Sequence, residues 1–226
     1  IFWTFGAGAA ALALSACAAT APETRTPTAP PAKPNAISDS VTSGVPAPLP
    51  AVQAQFFEAL AKRCGQPFEG QLASDAATDS DMAGKAMVMH IRRCTPDRIE
   101  IPFHIAGLGP NDDWDRSRTW VITRTDAGLR LKHDHRHADG SHDAVTLYGG
   151  DTAAAGSANH QTFPVDAESI AMFQQNGLGA SVTNVWHIDL TDSGFTYRLT
   201  RADRDFRVYF DFAKPVTPPP PAPWGW

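Results

Sequence analysis

From Arg98 to Ile105 the chain alternates without a break: Ile99, Ile101, Phe103 and Ile105 on one side, Arg98, Glu100, Pro102 and His104 on the other. A period of two predicts a half-buried antiparallel strand, and Pro102, with no N–H to give, predicts an edge or a bulge. Met87, Met89 and Ile91 repeat the spacing in a preceding strand that leads to Cys94. Two hairpins follow. Residues 118–124 turn through Asp126-Ala127-Gly128 into 129–137, and residues 183–190 turn through Asp192-Ser193-Gly194 into Phe195, Tyr197 and Leu199. Ala202-Asp203-Arg204 reverses the chain again into Phe206, Val208, Phe210 and Phe212. Helical spacing is rarer: Val52, Phe56 and Leu60 form one stripe and predict a helix over 51–62. Residues 166–176 fit either a helix capped by Asp166 and stopped at Gly177, or a further strand.

These segments amount to about eight to nine strands with short connections and no βαβ alternation. The expected fold is therefore mainly β: an antiparallel meander forming a barrel or a sandwich, entered through a short N-terminal helix. The helix-then-strand entry with Gly70 is similar to that of lipocalin and calycin barrels, although Leu72 stands where those carry Trp two places after the Gly. That resemblance implies a fold and no activity.

The ends are compositionally unlike this middle. Residues 1–14 are apolar and uncharged, too few for a spanning helix, and Leu14-Ser15-Ala16-Cys17 follows. This stretch resembles the signal peptide and cleavage box of bacterial lipoprotein precursors. The resemblance implies that Cys17 becomes the lipidated first residue of the mature chain. Ala18 in place of Asp implies sorting to the outer membrane. Ordinary secretion with cleavage after Ala18 is the alternative. Residues 18–50 hold eight prolines among Ala, Thr and Ser and read as a disordered tether. Residues 215–226 repeat that character and end in Pro-Trp-Gly-Trp, which either packs back on the domain or meets a partner. The folded domain is expected over 51–214.

Charge and cysteine count narrow the setting. Net charge is −5 and no basic run occurs, which disfavours nucleic acid as a partner. Of three cysteines, lipidation of Cys17 leaves Cys64 and Cys94, an even pair expected to bridge in an oxidising compartment. Two separate buried thiols are the alternative.

One segment carries candidate chemistry. Residues 133–143 read HDHRHADGSHD and hold half of the eight histidines. On a strand, His133, His135 and His137 share the face of Leu129 and Leu131, and Arg130, Lys132, Asp134 and Arg136 share the other. A two-residue turn at Asp139-Gly140 would set His137 opposite His142. A three-residue turn including Ser141 would set it opposite Asp143 and place Val145 and Leu147 on the Leu131 face, which the apolar pattern favours. Two of His133, His135 and His137, completed by His142 or Asp143, form a candidate site for Zn²⁺ or another transition metal. The competing reading is a polar hairpin tip whose histidines bond to Asp and Arg neighbours. Residues 149–157, rich in glycine, read as a flexible surface loop, and Asp112, Asp113 and Asp115 as a solvated acidic turn.

No GxSxG turn or phosphate loop is present. The expectation is thus a cell-envelope lipoprotein on the periplasmic side, with a non-catalytic binding or structural β domain and a membrane partner through its lipid. A small apolar ligand or an envelope protein would be its other partner. A metal-binding protein or metal-dependent hydrolase on the 133–143 hairpin is the alternative.

Overall fold

The computed structural model describes residues 48–226. The signal-peptide and lipobox residues 1–17 and the tether up to residue 47 lie outside the described residues. Helix α1 (Ala51–Ala61) leads into strands β1 (Pro67–Leu72), β2 (Met87–His90), β3 (Arg93–Cys94), β4 (Arg98–Ile105), β5 (Asp115–Thr125), β6 (Gly128–His135), β7 (Tyr148–Asp151) and β8 (His160–Pro164). Helix α2 (Ala167–Gln175) precedes β9 (Val185–Leu190), β10 (Gly194–Arg201) and β11 (Arg204–Pro215). All ladders are antiparallel, and the wall order is β7-β6-β5-β4-β2-β1-β11-β10-β9-β8, with β3 pairing β4. Apart from the two-residue β3, strands adjacent in sequence pair from β1 to β7 and again from β8 to β11, and β11 pairs with β1. The result is a nearly closed, barrel-shaped meander.

Closure is uneven. The seam between β11 and β1 is a ladder of several pairs, whereas β7 and β8 meet through one bridge, Gly150 to Val165, and the bond from Asp166 N–H to Gly149 O at 3.0 Å. Glycine makes that approach sterically feasible. A Cβ on Gly150 would sit 1.7 Å from Pro164 O. On the β6 side of β7, one on Gly149 would sit 1.8 Å from Leu131 O.

The inward alternation of the strands fills the barrel. Ile99, Ile101, Phe103 and Ile105 are all buried, with Trp120, Trp186, Phe163, Phe195 and Phe210. Trp120 sits among aromatic rings, stacked on Phe103 at 5.0 Å and on Tyr197 at 4.5 Å. Offset stacks of this kind add to area burial about 0.5–1.5 kcal/mol per pair. Helix α1 closes one end with Phe56, Phe57 and Leu60, and Leu49 before it is already in the core. Its buried Gln53 donates to Thr152 Oγ1 at 3.0 Å, and Thr152 Oγ1 accepts from Leu129 N–H at 3.1 Å. The helix therefore sits at the Leu129 end of β6. The Cys64–Cys94 disulfide, with S–S 2.04 Å, ties the chain after α1 to β3.

Two expectations need correction, and two that were left open are decided. Eleven strands form rather than about eight or nine, because β3 is too short to show a period and β7 and β8 were masked by glycine and short length. Residues Gly149 and Gly150 belong to β7 and are buried in the seam, not in a surface loop. Of its two alternatives, edge or bulge, Pro102 takes the bulge, on an interior strand. It lies where the register of β4 steps by one residue between Met89↔Phe103 and Arg93↔Glu100, so no ladder N–H is demanded of it. Residues 166–176 resolve as helix: Asp166 accepts from Ser169 N–H at 2.8 Å, and Gly177 has φ 71°.

Candidate functional site

The far end of β6 from α1 is polar. Leu129 and Leu131 face the core, and the same alternation carries His133 and His135 inward towards the mouth, about 14 and about 20 Å from Leu129 at about 3.4 Å per residue. Cross-strand pairing places Trp120 opposite His133 and Arg118 opposite His135. The outward residues behave as expected of the other face: Arg130 pairs with Asp151, Lys132 with Asp166 and Glu168, and Arg136 with Asp134.

His133 is buried, its ring stacked on Tyr148 at 4.8 Å and 11°. Nδ1 lies 3.1 Å from Tyr148 O and Nε2 lies 2.8 Å from Tyr197 Oη. A carbonyl can only accept, so Nδ1 carries the hydrogen and Nε2 accepts from the Tyr197 hydroxyl. Burial, reinforced by Lys132 and Arg118, pushes the His133 pKa down to about 3, so the ring is neutral. His135 is half-buried, with Nε2 3.2 Å from Tyr148 Oη, and burial followed by the Arg118 charge holds it well below its ordinary value. The phenols move the other way: burial raises Tyr148 to about 12 and Tyr197 well above 10. Arg118 forms an ion pair with Asp115, so that acidic position is a structural partner and not part of a solvated turn. Phe173 of α2, itself buried in the core, packs against Tyr148 with ring centroids 5.2 Å apart.

The hairpin beyond takes neither expected register. Arg136 pairs with His142 in an isolated bridge and His137 N–H bonds to Ser141 O at 2.9 Å, which closes a three-residue loop of Ala138, Asp139 and Gly140. The next ladder pair on that strand is His133↔Tyr148, so residues 143–147 bulge outward by three residues. Asp143 caps the bulge by accepting from Val145 N–H at 2.7 Å, and Leu147, expected inside, has φ 56° and is exposed. The turn chemistry prevailed over the apolar pattern: Asp139 accepts from both Ser141 N–H and Ser141 Oγ, at 2.9 and 2.6 Å.

The candidate metal residues are accordingly divided. His133 and His135 are drawn into the barrel. His137 and Asp143 face each other at 4.0 Å with 57% and 40% of their side chains exposed, and His142 is exposed. Among the described residues no three His, Cys, Asp or Glu side chains gather as a metal-holding group. The residues that complete the mouth, Tyr148, Tyr197 and Arg118, were missed because they come from three other strands. Their signal was inward parity on their own strands, legible only once the register is known.

A second polar constellation lies on the outer face of β8, β9 and β10. Asp189 Oδ1 meets His160 Nδ1 at 2.6 Å, and Thr162 Oγ1 lies 3.0 Å from His160 Nε2 and 3.4 Å from His187 Nδ1. His187 Nε2 then lies 2.9 Å from Thr200 Oγ1. With one hydrogen per link, every heteroatom in the row is satisfied from Thr200 through to Asp189. The row reads as cross-strand stitching of a half-exposed sheet face. No family model, no curated protein and no solved structure matches this chain.

Proposed function

We propose that the chain is a cell-envelope lipoprotein, anchored through Cys17 to the outer membrane on its periplasmic side, whose barrel is a non-catalytic binding or structural module. The Cys64–Cys94 bridge carries this reading. A bridged pair belongs to an oxidising compartment, and it leaves Cys17, of three cysteines, as the one sulfur free for an acyl group. The filled interior supports contact at the surface: Trp120, Trp186, Phe163, Phe195 and Phe210 occupy the space in which lipocalin-like barrels would hold a ligand. An apolar ligand would meet the barrel at its mouth, beside Tyr148 and His135. The measurement that tests the reading is the mass of the native protein extracted from membranes. Diacyl or triacyl mass at Cys17 with no free thiol elsewhere is the expected result. An unacylated Cys17 in the mature protein would overturn it.

The metal-binding or hydrolytic alternative keeps one observation in its favour, the facing of His137 and Asp143. Both nitrogens of His133 are engaged, so such a centre would draw on His135, His137 and Asp143. Elemental analysis of protein purified without a His tag decides it. Stoichiometric transition metal lost on His137→Ala would support the centre, and its absence in both proteins would eliminate it.

A further inference from the structure

Residues 218–226 present a physical problem that their own sequence cannot solve. Five of the nine are proline, so the segment has few N–H groups and cannot join a ladder as a strand does. It must be held through its carbonyl oxygens, by donors from elsewhere. The structure supplies them from the outer face of the barrel wall. Arg92 Nη1 donates to Pro220 O at 3.4 Å, and Arg116 Nη1 donates to Ala222 O at 3.0 Å, two residues on. Trp224 N–H returns a bond to Arg116 O at 3.1 Å. The Trp226 ring lies under the Arg93 guanidinium at 4.1 Å.

The platform is built for this contact. Val88, His90, His104, Thr119 and Val121 alternate with the core-facing residues, point away from the core cluster, and are nevertheless buried. His90 Nε2–H donates to Gly65 O at 3.2 Å, which leaves Nδ1 to accept from Arg92 at 3.3 Å and fixes the guanidinium that grips Pro220. His104, 1% exposed and beside Arg116, has an Nε2 with no hydrogen-bond partner among the described residues. The segment that Arg92 and Arg116 hold, Pro218 to Pro223, contains only proline and alanine and offers no side chain that could pair with that nitrogen.

We propose that this outer face is a recognition groove for extended proline-rich segments of a partner chain, and that residues 218–226 occupy it in cis. Carbonyls spaced two residues apart meet Arg92 and Arg116, and an aromatic residue docks on Arg93. A partner segment with a hydroxyl between its prolines can both donate and accept, so it would satisfy His104 where the chain's own segment does not. That difference lets a competitor displace the cis occupant. The inference is independent of where the chain is anchored.

The test uses a fluorescent peptide with the sequence of residues 218–226 and the full chain in two forms, unaltered and carrying Trp224→Ala with Trp226→Ala to loosen the cis segment. A tethered occupant acts at millimolar effective concentration. Binding to the loosened chain should therefore be tighter than to the unaltered chain by the ratio of that concentration to the peptide's Kd, about 100-fold for a Kd of about 10 μM. Adding Arg92→Ala and Arg116→Ala to the loosened chain should weaken it at least tenfold, and a peptide with Ser in place of the Ala222 residue should bind more tightly than the parent. Equal binding to the two forms, or indifference to the arginines, overturns the groove. Should the loosened chain fail to fold, the unaltered one still decides. Excess peptide should speed hydrogen exchange at the Trp224 amide while core amides stay protected, and an unchanged Trp224 amide at millimolar peptide sinks the proposal.

Discussion

The hydroxyl of Tyr197 on β10 donates to Nε2 of His133 on β6, a 2.8 Å bond across the barrel between residues 64 positions apart. It fixes the tautomer of a neutral, buried imidazole whose other nitrogen is held by Tyr148 O. Tyr197→Phe would leave that nitrogen desolvated and unpaired, a loss of about 1–3 kcal/mol. His133→Phe should cost a similar amount. The double variant should cost at least about 0.5 kcal/mol less than the sum, because the partners then leave together. Urea unfolding of the four proteins measures this, and strict additivity would show that the bond does not couple the two strands.

The seam between β7 and β8 depends on Gly150 having no side chain. Gly150→Ala places a methyl group 1.7 Å from Pro164 O, closer than any contact can be, so the seam must part. Hydrogen exchange at the Asp166 amide, which bonds to Gly149 O, should rise by orders of magnitude. Amides in the β11–β1 ladder should exchange at their former rates. Equal acceleration on both sides would mean that the barrel opens as a unit and not at this seam.

The Cys64–Cys94 bridge closes a loop with a sequence separation of 30. In the chain-entropy view such a loop contributes about 3–4 kcal/mol by restricting the unfolded chain. The Cys64→Ser, Cys94→Ser double variant should lose that amount in urea with little change of the far-ultraviolet spectrum. A loss under about 1 kcal/mol would locate the bridge's value elsewhere than in chain entropy.

Acid should destabilise the domain before its carboxylates titrate. Burial, followed by the Arg116 charge, lowers the His104 pKa to about 4 from 6.5, and burial lowers His133 to about 3. Both folded values lie below the unfolded ones, so the unfolded chain binds more protons below pH 6.5 and stability falls as pH drops from there. For His104 the fall ends near pH 4. Asp205, held below its ordinary value by Arg198, enters only below about 3.8. His104→Gln should reduce the slope of stability against pH between 6 and 4.5 by about one proton, about 1.4 kcal/mol per pH unit. An unaltered slope would mean that His104 is open to water, contrary to its burial.

The period-two runs and turn residues determined most of this fold before any tertiary contact was known. Arg98–Ile105, the hairpin at Asp126-Ala127 and the β9-β10-β11 meander are local patterns, and local patterns report strand faces directly. Cysteine parity likewise named the bridged pair. The histidine segment was visible, and so was the inward parity of His133 and His135. Tertiary structure alone decided what those histidines meet. Tyr148, Tyr197 and Arg118 arrive from three other strands, and their convergence depends on how the sheet closes, which composition and spacing do not encode. The seam at Gly150 and the Arg92–Arg116 grip on the proline segment are of the same kind. A periodic pattern tells a side chain which face it belongs to; only the closed barrel determines which distant backbone comes close enough to touch it.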